Sequence, residues 1–242
     1  YGAEVNLIKP GISLHRSDGE FTVLRLEDHE GVIRFSFSYS KKSEEDALRK
    51  AERALNVDID KLVTDKVNFY YSLPQGWGLD EIQSKALKKC FSIMKSQCYS
   101  AEGQFKSCWT TPDRVPHKRL WLWDSIFHAI GNKYINPQIA YESIKVVFDS
   151  QKEDGFIPHF ADPDFRSNIT QPPVIAWGIY DLYNYTGKED ILAEQYKHLK
   201  KYLLWNIENR DSNHNYLFEW KINKDSINNR CDESGMDNST RF

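Results

Sequence analysis

Residues 172–208 read PPVIAWGIYDLYNYTGKEDILAEQYKHLKKYLLWNIE, and this stretch predicts two α-helices in succession. The paired prolines are typical of a first helical turn, and Gly187 is typical of the left-handed backbone position that ends a helix. The second helix is predicted over 191–208, with one apolar face made of Leu192, Tyr196, Leu199 and Leu203. Two helices joined by a short turn form a hairpin, so the stretch predicts a helical hairpin.

Further helices are predicted upstream of this hairpin, over 80–96, 121–131 and 138–151. The last of them follows Asn136-Pro137 and buries one stripe made of Ala140, Ile144, Val147 and Phe148. Hairpins recur at similar spacing without a convincing sequence repeat. This pattern favours a mainly α fold built as a helical toroid or solenoid rather than a bundle.

The N-terminal part of the chain has a different pattern. Residues 20–27 (EFTVLRLE) and 31–39 (GVIRFSFSY) alternate polar and apolar positions, which predicts two antiparallel strands. Ser43 precedes three acidic residues and predicts a helix that runs to about Leu55. We therefore expect three parts: the end of a β-rich N-terminal domain over 1–42, a helical linker over 43–76 and a helical array over 77–242.

Charges of both signs are mixed along the chain, with 32 basic and 35 acidic residues and a net charge of −3. No basic block is present to neutralise phosphates or attract anionic lipid, so we expect neither nucleic acid nor a membrane as a partner. No apolar run is long enough to cross a bilayer. The 7 Trp, 13 Tyr and 13 Phe are typical of a protein that stacks on sugar rings, and equally of a large helical core.

The four cysteines are Cys90, Cys98, Cys108 and Cys231, and they show neither CxxC pairing nor metal-ligand spacing. We expect them to be reduced thiols in a cytoplasmic protein that holds no metal or other cofactor. Residues 1–10 lack a signal-peptide pattern. Because the chain opens on Tyr rather than Met, a removed leader remains an alternative.

Three polar segments fall at junctions between the predicted helices, and the first contains Trp123-Asp124. An Asp beside an indole at a helix start can accept hydrogen bonds from two sugar hydroxyls while the indole supplies an apolar wall. The alternative is an Asp that caps the helix beside core tryptophans. His128 lies four residues on, either as a partner of Asp124 or as a hydrogen-bonded core histidine.

The second segment, residues 168–173, reads NITQPP. The prolines fix the backbone, so that Asn168 and Gln171 are held in place to present their amides to a ligand. The alternative is an ordinary helix N-terminus with proline in its first turn.

The third segment, residues 232–242, places the carboxylates of Asp232, Glu233 and Asp237 close together around Gly235. Glycoside cleavage needs one protonated carboxyl group, and burial near like charge raises a carboxyl pKa in the required direction. A solvated acidic loop is the alternative. Because contact with Arg241 would lower the pKa of Asp237, we expect Arg241 to face Glu233 or a sugar hydroxyl.

Residues 233–242, ESGMDNSTRF, resemble the ESG-x-D-x-S-x-R motif of the clan of (α/α)6-barrel hydrolases that contains glycoside hydrolase family 63 and the family 37 trehalases. The resemblance covers about 77–242 and gives Asp237 the role of general acid. The Trp-Asp pair resembles the clan's site for the non-reducing sugar, and NITQPP resembles the N-x-x-QPP segment of trehalases. The implied first sugar subsite is made of Trp123, Asp124, Asn168, Gln171, Glu233, Gly235 and Arg241.

Two differences separate the chain from trehalases: the PGGRF lead-in to Trp-Asp is absent, and Ile169 stands where trehalases carry Arg. Residues 120–131 look more like the bacterial family 63 branch, which includes mannosylglycerate and glucosylglycerate hydrolases and α-glucosidases. The resemblance therefore implies an inverting hydrolase that acts on a small α-glucoside or α-mannoside.

An inverting mechanism needs a second carboxylate, roughly 6.5–9.5 Å from the acid, to activate water. In the clan this base lies well downstream of the ESG motif. We therefore expect residues 77–242 to form the first half of an (α/α)6 toroid, preceded by a short β-rich segment, with a further segment or chain completing the barrel.

Two other functions remain open at this point. A non-catalytic carbohydrate-binding protein on the same scaffold would lack the base and bind sugar without hydrolysis. A helical scaffold for protein partners would show no thermal shift with saccharides.

Overall fold

The computed structural model describes most of the helical part of the chain and selected segments elsewhere, namely residues 12–16, 22–26, 34–40, 42–74, 76, 78–115, 118–220 and 233–236. The chain divides into two compact units, residues 1–68 and 69–242. The described residues are mainly helical, as predicted, with a few short strands.

The first unit contains an antiparallel pair of strands, β1 (Ile12–Arg16) and β2 (Thr22–Leu26). The strand predicted over 20–27 is therefore present, but its partner is β1. The second predicted strand, over 31–39, is wrong for residues 34–39, which form no strand, while 31–33 lie outside the described residues.

Helix α1 (Glu44–Leu55) explains why the polar and apolar residues of 34–39 alternate without forming a strand. Ser43 caps the helix as predicted, since its hydroxyl accepts a hydrogen bond of 3.1 Å from the Asp46 N–H. The Ser36 and Ser38 hydroxyls donate to backbone carbonyls of α1, at Ala51 and Ala47. Every second side chain of this segment thus faces a helix, and the alternation arises without a neighbouring strand.

Helix α2 (Ile59–Ser72) follows, and the boundary between the two units falls within it. The second unit then contains every helix predicted after residue 77. These are α3 (Glu81–Ser96), α4 (Leu122–Asn132), α5 (Pro137–Asp149), α6 (Ile175–Thr186) and α7 (Glu189–Arg210).

Local signals account for the ends of these helices. Asp80 and Gln83 form a capping box at the start of α3, and Asn136 caps α5 ahead of its first-turn proline. Gly187 ends α6 in the left-handed conformation, with φ of 65°, as predicted.

The helices of the second unit pack in two layers. Each of α4, α5 and α6 packs against the next helix in the chain, while α4 also contacts α6 and α5 also contacts α7. The predicted α5 stripe of Ala140, Ile144, Val147 and Phe148 is buried in the shared core. Alternate helices side by side, joined by hairpins, form part of a helical barrel-like fold.

The apolar face predicted for α7 is partly wrong. Leu192 and Leu199 pack against the core, but Tyr196 is 59% exposed. The most buried residues of α7 are instead Gln195, Tyr202, Trp205 and Asn206. Of these residues, Tyr202 hydrogen-bonds to Thr170 and Gln171 outside the helix, and Asn206 donates to a carbonyl within α7.

Two short ladders connect the helices. Strand β3 (Cys98–Tyr99) pairs with β4 (Trp109–Thr110), and β5 (Leu120–Trp121) pairs with β6 (Phe160–Ala161). Strand β5 runs directly into α4, so this ladder fixes where α4 begins. None of the helices in the described ranges combines the length and apolar character of a membrane span.

Candidate active site

The first two polar segments meet at the N-terminus of α4. The Trp123 backbone N–H donates a hydrogen bond of 3.0 Å to the side-chain oxygen of Gln171. Trp121 occupies the N-cap position, and an indole has no acceptor to offer the first turn. Gln171 therefore caps α4 from a position 48 residues later in the chain.

The third segment packs on the indole of Trp123. Gly235 has φ of +71°, and a Cβ placed there would lie 2.2 Å from Trp123 Cη2. Only glycine combines this backbone conformation with so close an approach. The turn at Gly235 therefore brings residues 233–236 against the aromatic ring of the first segment.

Glu233 is buried and paired with Arg210 at the end of α7. Arg210 Nε lies 2.5 Å from Glu233 Oε1, and the two side chains are 10% and 3% exposed. The guanidinium also lies 4.7 Å from the centre of the Trp205 ring. A buried carboxylate needs such a partner, because an isolated charge is costly in a low dielectric.

A buried tyrosine fixes the segment that carries Gln171. The Tyr202 hydroxyl donates to the Gln171 carbonyl oxygen at 3.0 Å. Because this uses its one hydrogen, the Thr170 hydroxyl, 2.8 Å away, is the donor to the Tyr202 oxygen. Burial raises the pKa of Tyr202 to about 12. The phenol therefore stays protonated and acts as a hydrogen-bond donor at neutral pH.

Gln171, Arg210 and Glu233 line a cavity of about 170 Å³, while Trp123 and Gly235 pack on each other outside its lining. Its walls include Gln171, Asn206, Arg210, Glu233 and the half-exposed rings of Phe218 and Trp220. Amide, guanidinium and carboxylate groups beside flat apolar rings can bind sugar hydroxyls and stack on a sugar face. Among the residues that the structure describes, no group of His, Cys, Asp and Glu could hold a metal ion.

The structure does not bring every predicted site residue to this cavity. Asn168 is exposed and lines a second cavity of about 360 Å³ with His159 and Arg166. Asp124 lies half-buried in the first turn of α4. Asp237 and Arg241 lie outside the described residues.

His128 is a hydrogen-bonded core histidine. Its Nδ1 lies 2.9 Å from the Thr110 hydroxyl, and burial lowers the pKa of its imidazole to about 4. Of the two interpretations of this residue, the structural one is confirmed.

Three residues of the site were missed in the sequence: Tyr202, Asn206 and Arg210. They recur at four-residue spacing along α7, where Asn206 donates to the Tyr202 carbonyl at 2.9 Å. The sequence signal for them is a polar stripe at helical spacing. The leucines of the same helix predicted a different buried face, so the stripe was not recognised.

Residues 116–242 match the family model of the mannosylglycerate hydrolase MGH1-like glycoside hydrolase domain. A mannosylglycerate hydrolase of Thermus thermophilus is 29% identical over 163 residues, which cover 55% of this chain and 36% of that protein. Mannosylglycerate hydrolase MGH1 of Selaginella moellendorffii is 26% identical over 144 residues, covering 51% and 28% respectively. The chain thus spans about a third of the length of these relatives.

Solved structures of a mannosylglycerate hydrolase are also similar to this chain. The family 63 mannosylglycerate hydrolase from Thermus thermophilus, in complex with Tris, aligns with a TM-score of 0.52 at 25% identity and covers 63% of this chain and 38% of that one. Its complex with Tris and D-glycerate aligns with a TM-score of 0.51 at 26% identity, covering 62% and 38%. The shared architecture is mainly helical and supports the predicted partial helical barrel.

Proposed function

Because the chain belongs to the mannosylglycerate hydrolase MGH1-like glycoside hydrolase domain family, we propose that the whole protein is an inverting α-glycoside hydrolase with Asp237 as its general acid. The observation that carries this proposal is the packing of Gly235 on Trp123, beside Gln171 and Glu233. This packing brings the three segments into contact, and residues of the second and third segments line one cavity.

The proposed roles follow from the chemistry of each group. Asp237 follows Met236 at the end of the segment that Glu233 and Gly235 anchor. As the acid it would donate a proton to the bridging oxygen as the bond to the leaving group breaks. The Arg210 guanidinium neutralises Glu233, so that one carboxylate of the motif is already paired.

Substrate contacts are proposed for the remaining predicted residues. The Trp123 indole would stack on the sugar, while Asp124, Asn168, Gln171 and Arg241 would bind hydroxyl or carboxylate groups. A small α-mannoside or α-glucoside is the proposed substrate, and mannosylglycerate is the first compound to test because the named relatives hydrolyse it. We propose that the general base belongs to a further segment that completes the barrel. The cysteines, interpreted as reduced thiols, favour the cytoplasm as the location.

The test uses the full-length protein and its Asp237→Asn variant, with Asp232→Asn as the matched control. On mannosylglycerate, loss of the general acid should lower kcat by about 10²–10⁴-fold. On p-nitrophenyl α-mannoside the loss should be much smaller, because p-nitrophenolate leaves without being protonated. Asp232→Asn should keep most of its activity on both substrates.

The stereochemical outcome provides a second measurement. An inverting enzyme releases the β-anomer of the sugar first, which NMR detects before mutarotation. Equal loss of activity on both substrates in Asp237→Asn would contradict its role as acid. Tight sugar binding by calorimetry without any turnover would instead support the non-catalytic alternative.

A further inference from the structure

Two cysteines lie on one face of the short ladder between α3 and α4. Cys98 is opposite Thr110 in this ladder, and Tyr99 is opposite Trp109. Cys108 directly precedes β4, so it lies diagonally across from Cys98 and its side chain points to the same face. The sequence pattern gave no sign of this pairing, because the two residues are ten positions apart.

The two thiols lie close enough to affect each other's ionisation. The Cys98 thiol donates a hydrogen bond of 3.3 Å to the Met94 carbonyl oxygen. Both the Cys98 thiol and the Tyr99 backbone favour negative charge on Cys108, so Cys108 is the residue of the pair that loses its proton first.

The pKa values of the two thiols move apart for the same reason. The Cys98 thiol holds the pKa of Cys108 below its ordinary value, against opposing effects of burial and the Glu142 carboxylate. The Cys108 sulfur raises the pKa of Cys98, and burial raises it further. A low-pKa thiol beside a protonated thiol is the arrangement of a nucleophilic cysteine and its resolving partner.

Access and backbone geometry allow a reaction at this position. Cys98 and Cys108 are both partly exposed, and both are free thiols. Because Cys108 lies just outside the paired residues of the ladder, strand pairing does not fix its backbone. Its N–H instead donates to Glu142 at 3.0 Å, so movement of the Cys108 backbone can bring the sulfurs to the S–S bond length of about 2.05 Å.

We propose that Cys108 and Cys98 form a redox-responsive thiol pair that a low-molecular-weight disulfide, such as oxidised glutathione, converts to an intrachain disulfide. The Cys108 thiolate attacks one sulfur of the oxidant, forms a mixed disulfide and releases one glutathione thiolate. Cys98 then loses its proton to water, attacks the Cys108 sulfur and expels the second glutathione thiolate. Two protein thiols are oxidised, and one glutathione disulfide is reduced to two thiols.

The disulfide would form where the ladder touches the helical core. Thr110 of β4 contacts His128 of α4, and Cys108 contacts Glu142 of α5. The cross-link therefore joins the end of α3 to residues that already pack on α4 and α5. We expect the oxidised protein to melt at a higher temperature than the reduced protein, because the unfolded chain loses conformational freedom.

Peptide mapping of the full-length protein tests the proposal in a Cys90→Ser/Cys231→Ser background, in which Cys98 and Cys108 are the cysteines retained within residues 1–242. Trypsin cleaves after Lys95, Lys106 and Arg114, which places the two cysteines on separate peptides, 96–106 and 107–114. After treatment with oxidised glutathione, mass spectrometry should show these peptides linked and lighter by two hydrogen atoms. Reduction should separate them. Absence of the linked species after oxidation would overturn the proposal.

Single variants separate the roles of the two thiols. Cys98→Ser removes the resolving thiol, so glutathione should accumulate on peptide 107–114, whereas Cys108→Ser should react several-fold more slowly at Cys98. In the unmodified protein, iodoacetamide should alkylate Cys108 several-fold faster at pH 7 than the more exposed Cys90. Faster reaction at Cys90, or glutathione on Cys98 in preference to Cys108, would contradict the assignment.

Discussion

Gly235 is the residue at which the acidic motif meets the aromatic surface. Its left-handed backbone and the 2.2 Å separation between a built Cβ and the Trp123 ring are two independent demands for glycine. Gly187 has a similar φ of +65°, but a Cβ there meets nothing within 4 Å. Substitution of Gly187 therefore tests the cost of the left-handed backbone alone, whereas substitution of Gly235 tests that cost together with the close contact to Trp123.

We predict that Gly187→Ala costs roughly 1–2 kcal/mol of stability and leaves kcat/KM unchanged, because only the left-handed backbone is penalised. Gly235→Ala carries the same penalty and also forces residues 233–236 away from Trp123. Its kcat/KM on mannosylglycerate should fall by at least about tenfold, since small displacements of catalytic groups are costly. Thermal melts and steady-state kinetics of both variants give the comparison, and equal activities would show that the contact does not position the site.

Gln171 acts at the scale of an element, because its side chain completes helix α4. Gln171→Glu keeps an acceptor for the Trp123 N–H and adds negative charge at a helix N-terminus. We predict that KM rises because two amide donors are lost to the substrate, and that the cost of burying the new carboxylate offsets its gain at the helix N-terminus. Gln171→Leu leaves the N–H without its acceptor and should also lose about 1–2 kcal/mol of stability.

Urea denaturation and steady-state kinetics measure the two effects separately. If Gln171→Glu left KM unchanged, Gln171 would have no part in sugar binding. Unchanged stability in Gln171→Leu would contradict the capping role.

Helices were predictable where the sequence carries its own start and stop signals. Ser43, Asp80, Asn136 and Gly187 each act within a few residues, and the structure places each at a helix end. The alternation over 34–39 predicted a strand that does not form. A period of two indicates extended backbone, but tertiary packing decides whether that backbone pairs with a strand or packs on a helix. In α7, tertiary packing buries the polar side chains of Gln195 and Asn206, which hydropathy does not predict.

Contacts of the site become less predictable as their separation in the chain grows. The turn at Gly235 is local and follows from the glycine. The Arg210–Glu233 pair joins residues 23 positions apart, and the Gln171 cap joins residues 48 positions apart. Sequence motifs therefore indicated which segments carry the chemistry, but only the packing of α4, α6 and α7 shows which side chains touch.

The molecule as a whole should lose stability in mild acid. Burial lowers the pKa of His128 and His159 to about 4 in the folded protein, from an ordinary value of 6.5. Between these values the unfolded chain binds more protons than the folded one, so the free energy of unfolding falls as the pH drops from about 6.5 to 4. For the deeply buried His159 the loss reaches on the order of 3 kcal/mol.

Urea midpoints measured between pH 7 and pH 4.5 check this prediction. His159→Gln should show a weaker pH dependence than the original protein. A pH profile that is identical in the two proteins would show that His159 does not bind protons on unfolding.

The acceptor that completes α4 has a consequence for the nascent chain. On the ribosome, Gln171 is synthesised 48 residues after Trp123, which takes on the order of seconds at typical translation rates. During that interval the first turn of α4 lacks the amide that later stabilises it. The cap can therefore form only after the segment that precedes α6 has been synthesised.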